Sequence, residues 1–318
     1  MTLHNQNTAA AELELALTTE HFQKAVVDHH DAEAIERAST SAWKDVWYRL
    51  SRNWTAMTGL CILTALIVMA IIGPWLTPYD FSKNDLMSTS LAPSEKHWFG
   101  TDDLGRDMFA RTWMGARISL IVGFAAAFIN LIIGVIYGGI MGYVGGRIGD
   151  IMNKISEIIY SIPDLLVAIL LVVVFEPSLL TIILAFCLTG WINMSWIVRG
   201  QIIQLKNQEY VLASRSLGAS GMRILFRHLL PNTLGPIIVM LTMAVPAAIF
   251  GEAVLSFLGL GVQLPAASWG TMINDGTKVM LLYPWRMLFP AIMISLTMLA
   301  FNMFGDGLRD ALDPKLKK

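Results

Sequence analysis

Six stretches of the chain are nearly unbroken runs of apolar residues, each close to the ~20 residues that cross a bilayer core. They fall at about 54–76, 117–143, 151–175, 178–198, 234–256 and 286–305, with polar and charged residues gathered between them. Backbone in lipid must satisfy its own hydrogen bonds, and a helix does so within one segment. The pattern therefore predicts an all-α polytopic membrane protein with six transmembrane helices. It divides the chain into a polar tail, 1–42, and a first span with an outside segment, 43–116. A transmembrane domain, 117–308, and a short C-terminal tail, 309–318, complete it.

One break stands apart. Residues 200–232 read GQIIQLKNQEYVLASRSLGASGMRILFRHLLPN. Arg199, Lys206, Arg215, Arg223 and Arg227 stand here against a single acid, Glu209, which places the segment on the cytoplasmic side. Glu209 to Leu217 has no helix breaker, and Gly218 suits the position that ends such a helix. Ser220 can cap a second helix, with Met222, Leu225, Phe226 and Leu229 on one apolar face and Pro231 stopping it. The expectation is a helix, a glycine turn and a second helix between two spans. From the pattern alone it is either a surface-lying connection or a docking element for a soluble partner.

Lys44, Arg49 and Arg52 precede the first span, so the N-terminus is expected in the cytoplasm, and six crossings return the C-terminus there. Fourteen basic residues fall on the inside flanks and loops of this topology and seven on the outside. The tail carries seven acids against Lys24 and Arg37, with helix expected from about Thr19 to Arg37 and a solvated pair, His29–His30. It lacks a basic region running straight into an apolar one, so it does not read as a cleaved signal peptide.

Composition agrees with this class. Of 318 residues 15% are charged, against about 25% in soluble domains, and the mean hydropathy is +0.56. The net charge of −1 gives no sign of a nucleic-acid partner. Cys61 and Cys187 both lie in apolar spans and read as packing residues rather than a disulfide. The sequence has no phosphate-binding loop of the Gly-x-x-x-x-Gly-Lys-Ser/Thr type, and no His/Cys cluster at metal-ligand spacing.

The spans carry their own signals. Gly134, Gly138 and Gly142 recur every four residues, which permits close helix approach. Pro163 should kink the third span, beside Asp164, an ionisable group at depth. Asp164 either lines a translocation path or caps the helix restarting after the proline. Glu252, near the outer end of the fifth span, either reaches water or makes a gate or inter-subunit contact. Asp107 and Arg111 are spaced as an i, i+4 pair on a helix leading into the second span. The outside segment ahead of them reads as a structural lid or as a docking surface.

Several motifs resemble one family. Ala213, Gly218 and Leu230–Pro231 fall at the spacing of the cytoplasmic loop signature of binding-protein-dependent ABC importer permeases. That signature runs Glu-Ala-Ala, three residues, Gly, nine residues, Ile, one residue, Leu-Pro. Here Leu212 replaces the Glu, Ser214 the second Ala and His228 the Ile. Phe99-Gly100-Thr101-Asp102, Leu104-Gly105-Arg106-Asp107, Gly115-Ala116-Arg117-Ile118-Ser119-Leu120 and Gly305-Asp306-Gly307-Leu308-Arg309-Asp310 resemble the C-type subunit of peptide permeases. So does the run after Glu252, Leu255 to Gly261.

This resemblance covers about residues 43–318. It implies the type I importer permease fold, with spans two to six as core and span one added. It implies a bacterial inner-membrane subunit paired with a second, B-type permease, two ABC ATPase subunits and an extracytoplasmic peptide-binding protein. ATP and Mg would be used by the ATPases, with no cofactor on this chain and no enzymatic activity of its own. Leu212, Ala213, Ser214, Arg215, Gly218, Ala219 and Arg223 would couple to the ATPases, and Asp164 and Glu252 are the path candidates. Oligopeptides are the expected cargo, with dipeptides or nickel as alternatives. An ion-driven secondary transporter would show paired broken helices in two repeats, and no clear internal repeat is visible. A membrane enzyme would need a catalytic cluster, which the sequence lacks.

Overall fold

The described residues of the computed structural model, 42–313, form helices joined by turns and loops. The expectations for Thr19–Arg37 and His29–His30 lie outside them. Residues 1–45 and 46–318 form separate units, and only residues 42–45 of the first are described. Helix α1 is Ala42–Arg52. Asn53 then caps α2, Trp54–Ile72, which ends in a 3-10 turn through Trp75.

The second span begins earlier than its apolar run. Helix α3 is Met108–Val144, 37 residues, or about 55 Å at 1.5 Å per residue, longer than the bilayer core. Asp107 starts it by accepting a hydrogen bond from the Ala110 N–H at 2.8 Å, and nothing breaks it before Gly145. Asp107 is therefore a cap and does not pair with Arg111. Its other oxygen takes His97 Nδ1 at 2.9 Å, while Arg111 reaches Asp102 at 3.4 Å and the Phe81 carbonyl.

The expected kink at Pro163 is a full break. Helix α4, Gly146–Tyr160, and α5, Asp164–Phe175, meet at 72° across Ser161–Pro163. α4 carries Asp150, Asn153, Lys154 and Glu157, and α5 alone is too short to cross. Five helices or joined helices are long and apolar enough to span, and this bent pair makes the sixth if taken as one crossing. The fourth span is α6, Leu179–Thr189, continued at Gly190 by α7, Trp191–Leu205. The fifth is α10, Leu234–Phe257, and the last is α12, Trp285–Leu312, seven residues beyond the expected end.

α3 is the central helix. Its glycine row faces α7: a Cβ on Gly138 would strike the Ser195 carbonyl, one on Gly134 would sit 2.6 Å from Met194 Cβ, and one on Gly142 2.9 Å from the Arg199 carbonyl. The core on its other side joins Leu63 and Leu66 of α2, Phe109 and Trp113 of α3, Ile249 of α10 and Phe301 of α12. Cys187 is buried as expected, but Cys61 is exposed on the outer surface of α2; both are free thiols.

The segment 76–107 is tied down by ion pairs. Arg106 donates to Asp102 at 2.7 Å, and Arg286 at the head of α12 donates to Asp103 at 2.8 Å. Phe99 stacks on Phe289 with centroids 3.9 Å apart. Ser268 caps α11, Trp269–Thr277, with a reciprocal bond from Thr271, and the Trp269 indole N–H donates to the Thr112 carbonyl at 2.9 Å.

Candidate functional site: a cleft and a docking segment

A cleft of about 470 Å³ opens among α3, α5, α6, α7 and α10. Its polar lining is Asn130, Asp164, Thr189 and Asn193, and Met194, Met240 and Met243 line it as well. Flexible thioethers suit a surface that must fit varied shapes. Asn130 donates to the Phe186 carbonyl at 3.2 Å, leaving its own oxygen buried without a partner. Sequence reading missed Asn130, although a lone amide inside the apolar run of α3 is itself a signal.

Asp164 lines this cleft and is exposed in it. It is the first residue of α5, after Pro163, and no side-chain hydrogen bond caps that terminus. The carboxylate complements the positive end of the helix dipole without bonding to it, so an Asx-type cap does not account for it.

Glu252 departs from the first of its two expectations. It is 0% exposed, so it does not reach water, and it is not among the cleft's lining residues, which include its neighbours Phe250, Gly251, Val254 and Leu255. Ser256 Oγ donates to it at 2.6 Å and Ser119 Oγ at 3.0 Å; Ser268 stands 3.3 Å from Ser256. The Trp269 N–H reaches Ser119 Oγ at 3.4 Å. These bonds join α3, α10 and the start of α11. The serines lie 133, 4 and 16 positions from Glu252 in sequence, so only folding reveals the cluster.

The basic segment folds as helix, turn and helix. Helix α8 is Glu209–Ser216, with Leu217 as its C-cap. Gly218 follows at φ +81°, and the Gly218 and Ala219 N–H groups bond back to the Arg215 and Ser214 carbonyls at 3.0 and 3.1 Å. This pair of bonds is the Schellman ending, which favours glycine at that position. Ser220 Oγ then accepts from the Arg223 N–H at 3.4 Å and starts helix α9, Gly221–Ile224.

Two details depart from expectation. Pro231 does not stop this helix: a π turn, Leu225–Leu229, leads into Leu230–Asn232. A proline lacks an N–H and crowds the carbonyl four residues back, and a widened turn ahead of it relieves both. The wider turn also changes the facing of side chains. Ile224, Leu225 and Leu229 are buried against Met194, Val198, Ile202 and Ile237, while Met222 and Phe226 are exposed.

The segment is therefore held from beneath and open above. Lys206 Nζ donates to the Gly142 carbonyl at 3.2 Å, and Val211 is fully buried. Leu217 is 88% exposed and Met222 62%, beside exposed Leu212, Ala213, Arg215 and Arg223, with Ser214 and Ala219 half-buried. Large apolar side chains presented with cations on a rigid turn form a surface suited to a partner with acidic and apolar groups.

Comparison with known proteins supplies the family. A model described as binding-protein-dependent transport system inner membrane component matches residues 130–318. Another, the N-terminal transmembrane domain of oligopeptide transport permease C, matches residues 41–93. The chain is 55% identical over 297 residues to the oligopeptide transport system permease protein OppC of Bacillus subtilis, covering 93% of this chain and 97% of that one. It is 57% identical over 291 residues to the dipeptide transport system permease protein DppC of the same organism, covering 91% of each. It is 42% identical over 276 residues to the glutathione transport system permease protein GsiD of Escherichia coli, covering 86% of this chain and 91% of that one. With its spans, its bent α4–α5 pair and its helix–turn–helix segment, the chain belongs to the binding-protein-dependent transport system inner membrane components, as a permease related to the peptide permeases of ABC importers.

Proposed function

We propose that this protein is one permease subunit of an ATP-driven peptide importer, with oligopeptides as its cargo. In this reading a second, B-type permease supplies the other wall of the path. Two ABC ATPases, using ATP and Mg, dock from the cytoplasm, and an extracytoplasmic binding protein delivers peptide. This chain binds no nucleotide and does no chemistry. The names of its relatives support peptide cargo, and dipeptides remain the second reading because a dipeptide permease is as similar as an oligopeptide one.

The observation that carries the reading is the stiff, doubly anchored turn presenting Leu212, Leu217, Met222, Arg215 and Arg223. A part that passes on movement must be rigid and fixed to what it moves. The Schellman ending supplies the first property and the buried contacts of Ile224, Leu225 and Leu229 the second. The test is the Leu217→Glu variant in the reconstituted transporter, assayed with dipeptide and longer peptides. Leu217 touches little of its own chain, so the variant should insert normally. We expect peptide-stimulated ATP hydrolysis and uptake to be lost together. Unchanged coupling would refute the docking role.

A further inference from the structure

Two cavities meet at Arg117, away from the cleft and from the basic segment. One is an apolar groove of about 430 Å³ between α2 and α3, walled by Ile67, Ile71, Leu120, Ile121 and Phe124. The other is a cup of about 380 Å³ carrying Thr77, Tyr79, Asp80 and Met114. Trp75 and Arg117 line both. Arg117 is the one charged residue on the groove, and Arg117 and Asp80 are the charged residues on the cup.

The guanidinium is fixed in place. Arg117 Nε donates to the Ala70 carbonyl and Nη2 to the Ile71 carbonyl, both at 2.6 Å, at the end of α2 where carbonyls lack helical partners. It also lies 5.1 Å from the ring centroid of Trp75. An arginine has five N–H donors, and these bonds use two. Among the described residues no carboxylate forms an ion pair with it. Asp80 accepts from the Ser82 N–H through Oδ1 at 2.7 Å and also takes the Ser82 hydroxyl there, and Lys83 is the nearby cation on its own loop. The Ser82 side-chain bond leads the causes that hold its carboxyl below the ordinary range, so it stays anionic. Thr77 Oγ1 is buried without a partner.

We propose that groove and cup together bind one phospholipid whose headgroup carries a primary amine, of the phosphatidylethanolamine class. The acyl chain fills the groove, whose Ile71, Ile121 and Phe124 are exposed. The phosphate meets the free N–H groups of Arg117, a charge-assisted contact. The ammonium turns to Asp80, and an ester oxygen can accept from the Thr77 hydroxyl. Trp75 closes the turn at the end of α2, and indoles favour the ends of membrane spans. The paired charges select the headgroup. A phosphatidylglycerol headgroup satisfies Arg117 but offers Asp80 no cation, and phosphatidylcholine offers one with no N–H to donate.

The test is native mass spectrometry of the full-length chain in mild detergent, titrated with the three lipids. Phosphatidylethanolamine should be retained about tenfold more tightly than either competitor, the worth of one hydrogen bond to a charged group. Asp80→Asn should remove the preference while lipid still binds. Ile121→Trp, at an exposed position, should fill the groove and lower retention of all three. Equal retention of the three lipids by the unaltered chain would overturn the headgroup assignment. Unchanged retention in Ile121→Trp, or loss of the lipid when a second permease subunit assembles, would overturn the site.

Discussion

A carboxylate at membrane depth persists only where water, a cation or hydrogen-bond donors reach it, and two residues of this chain meet that requirement in opposite ways. Glu252 is sealed from solvent and held by Ser119 and Ser256. Asp164 stands in an open cleft with no side-chain bond to its own helix terminus. A sealed acid joins elements, whereas an open one is available to what passes. If the cleft carries peptide, Asp164 favours a positive group, including a free amino terminus. Asp164→Asn keeps the size and removes the charge. Uptake of peptides with free amino termini should fall several-fold, while N-acetylated peptides should lose less. Measured side by side in vesicles, an equal response of the two would remove Asp164 from the path.

At the scale of elements, α3 and α7 meet backbone to backbone. The row Gly134, Gly138 and Gly142 brings the two backbones within reach of one another, and packing at that distance replaces the hydrophobic drive that lipid does not provide. Gly138→Leu would force the pair apart at the Ser195 carbonyl, an overpacking cost of ~1–3 kcal/mol. Gly200→Leu is the control, since a Cβ there meets nothing within 4 Å. A thermal melt in detergent should show a clear drop for the first and little change for the second. The glycine row was legible in sequence because its spacing repeats. The π turn before Pro231 was not, because a proline specifies only that the regular pattern must fail. Whether the helix stops or widens depends on the contacts around it, here those of Leu225 and Leu229.

For the whole molecule, the two-to-one bias of basic residues argues that the N-terminus, the 200–232 segment and the C-terminus share the cytoplasmic side. Single cysteines at Gln208 and Leu281, in a chain with Cys61→Ala and Cys187→Ala, would check it. Both positions are exposed. An impermeant thiol reagent added outside intact cells should label the second and spare the first. The helical spans were legible in sequence because burial in lipid is decided segment by segment: each apolar run has to be helical. The helix–turn–helix segment was legible for the same reason, since Gly218 and Ser220 act on neighbours within a few residues. What the sequence left open are the places where residues far apart in the chain meet. Pro163 marked a bend, but the 72° angle between α4 and α5 belongs to the folded chain. Asp164 and Glu252 look alike along the sequence, each an acid in an apolar run. Tertiary structure alone separates them, because the donors that bind Glu252 and the walls that open around Asp164 come from other helices.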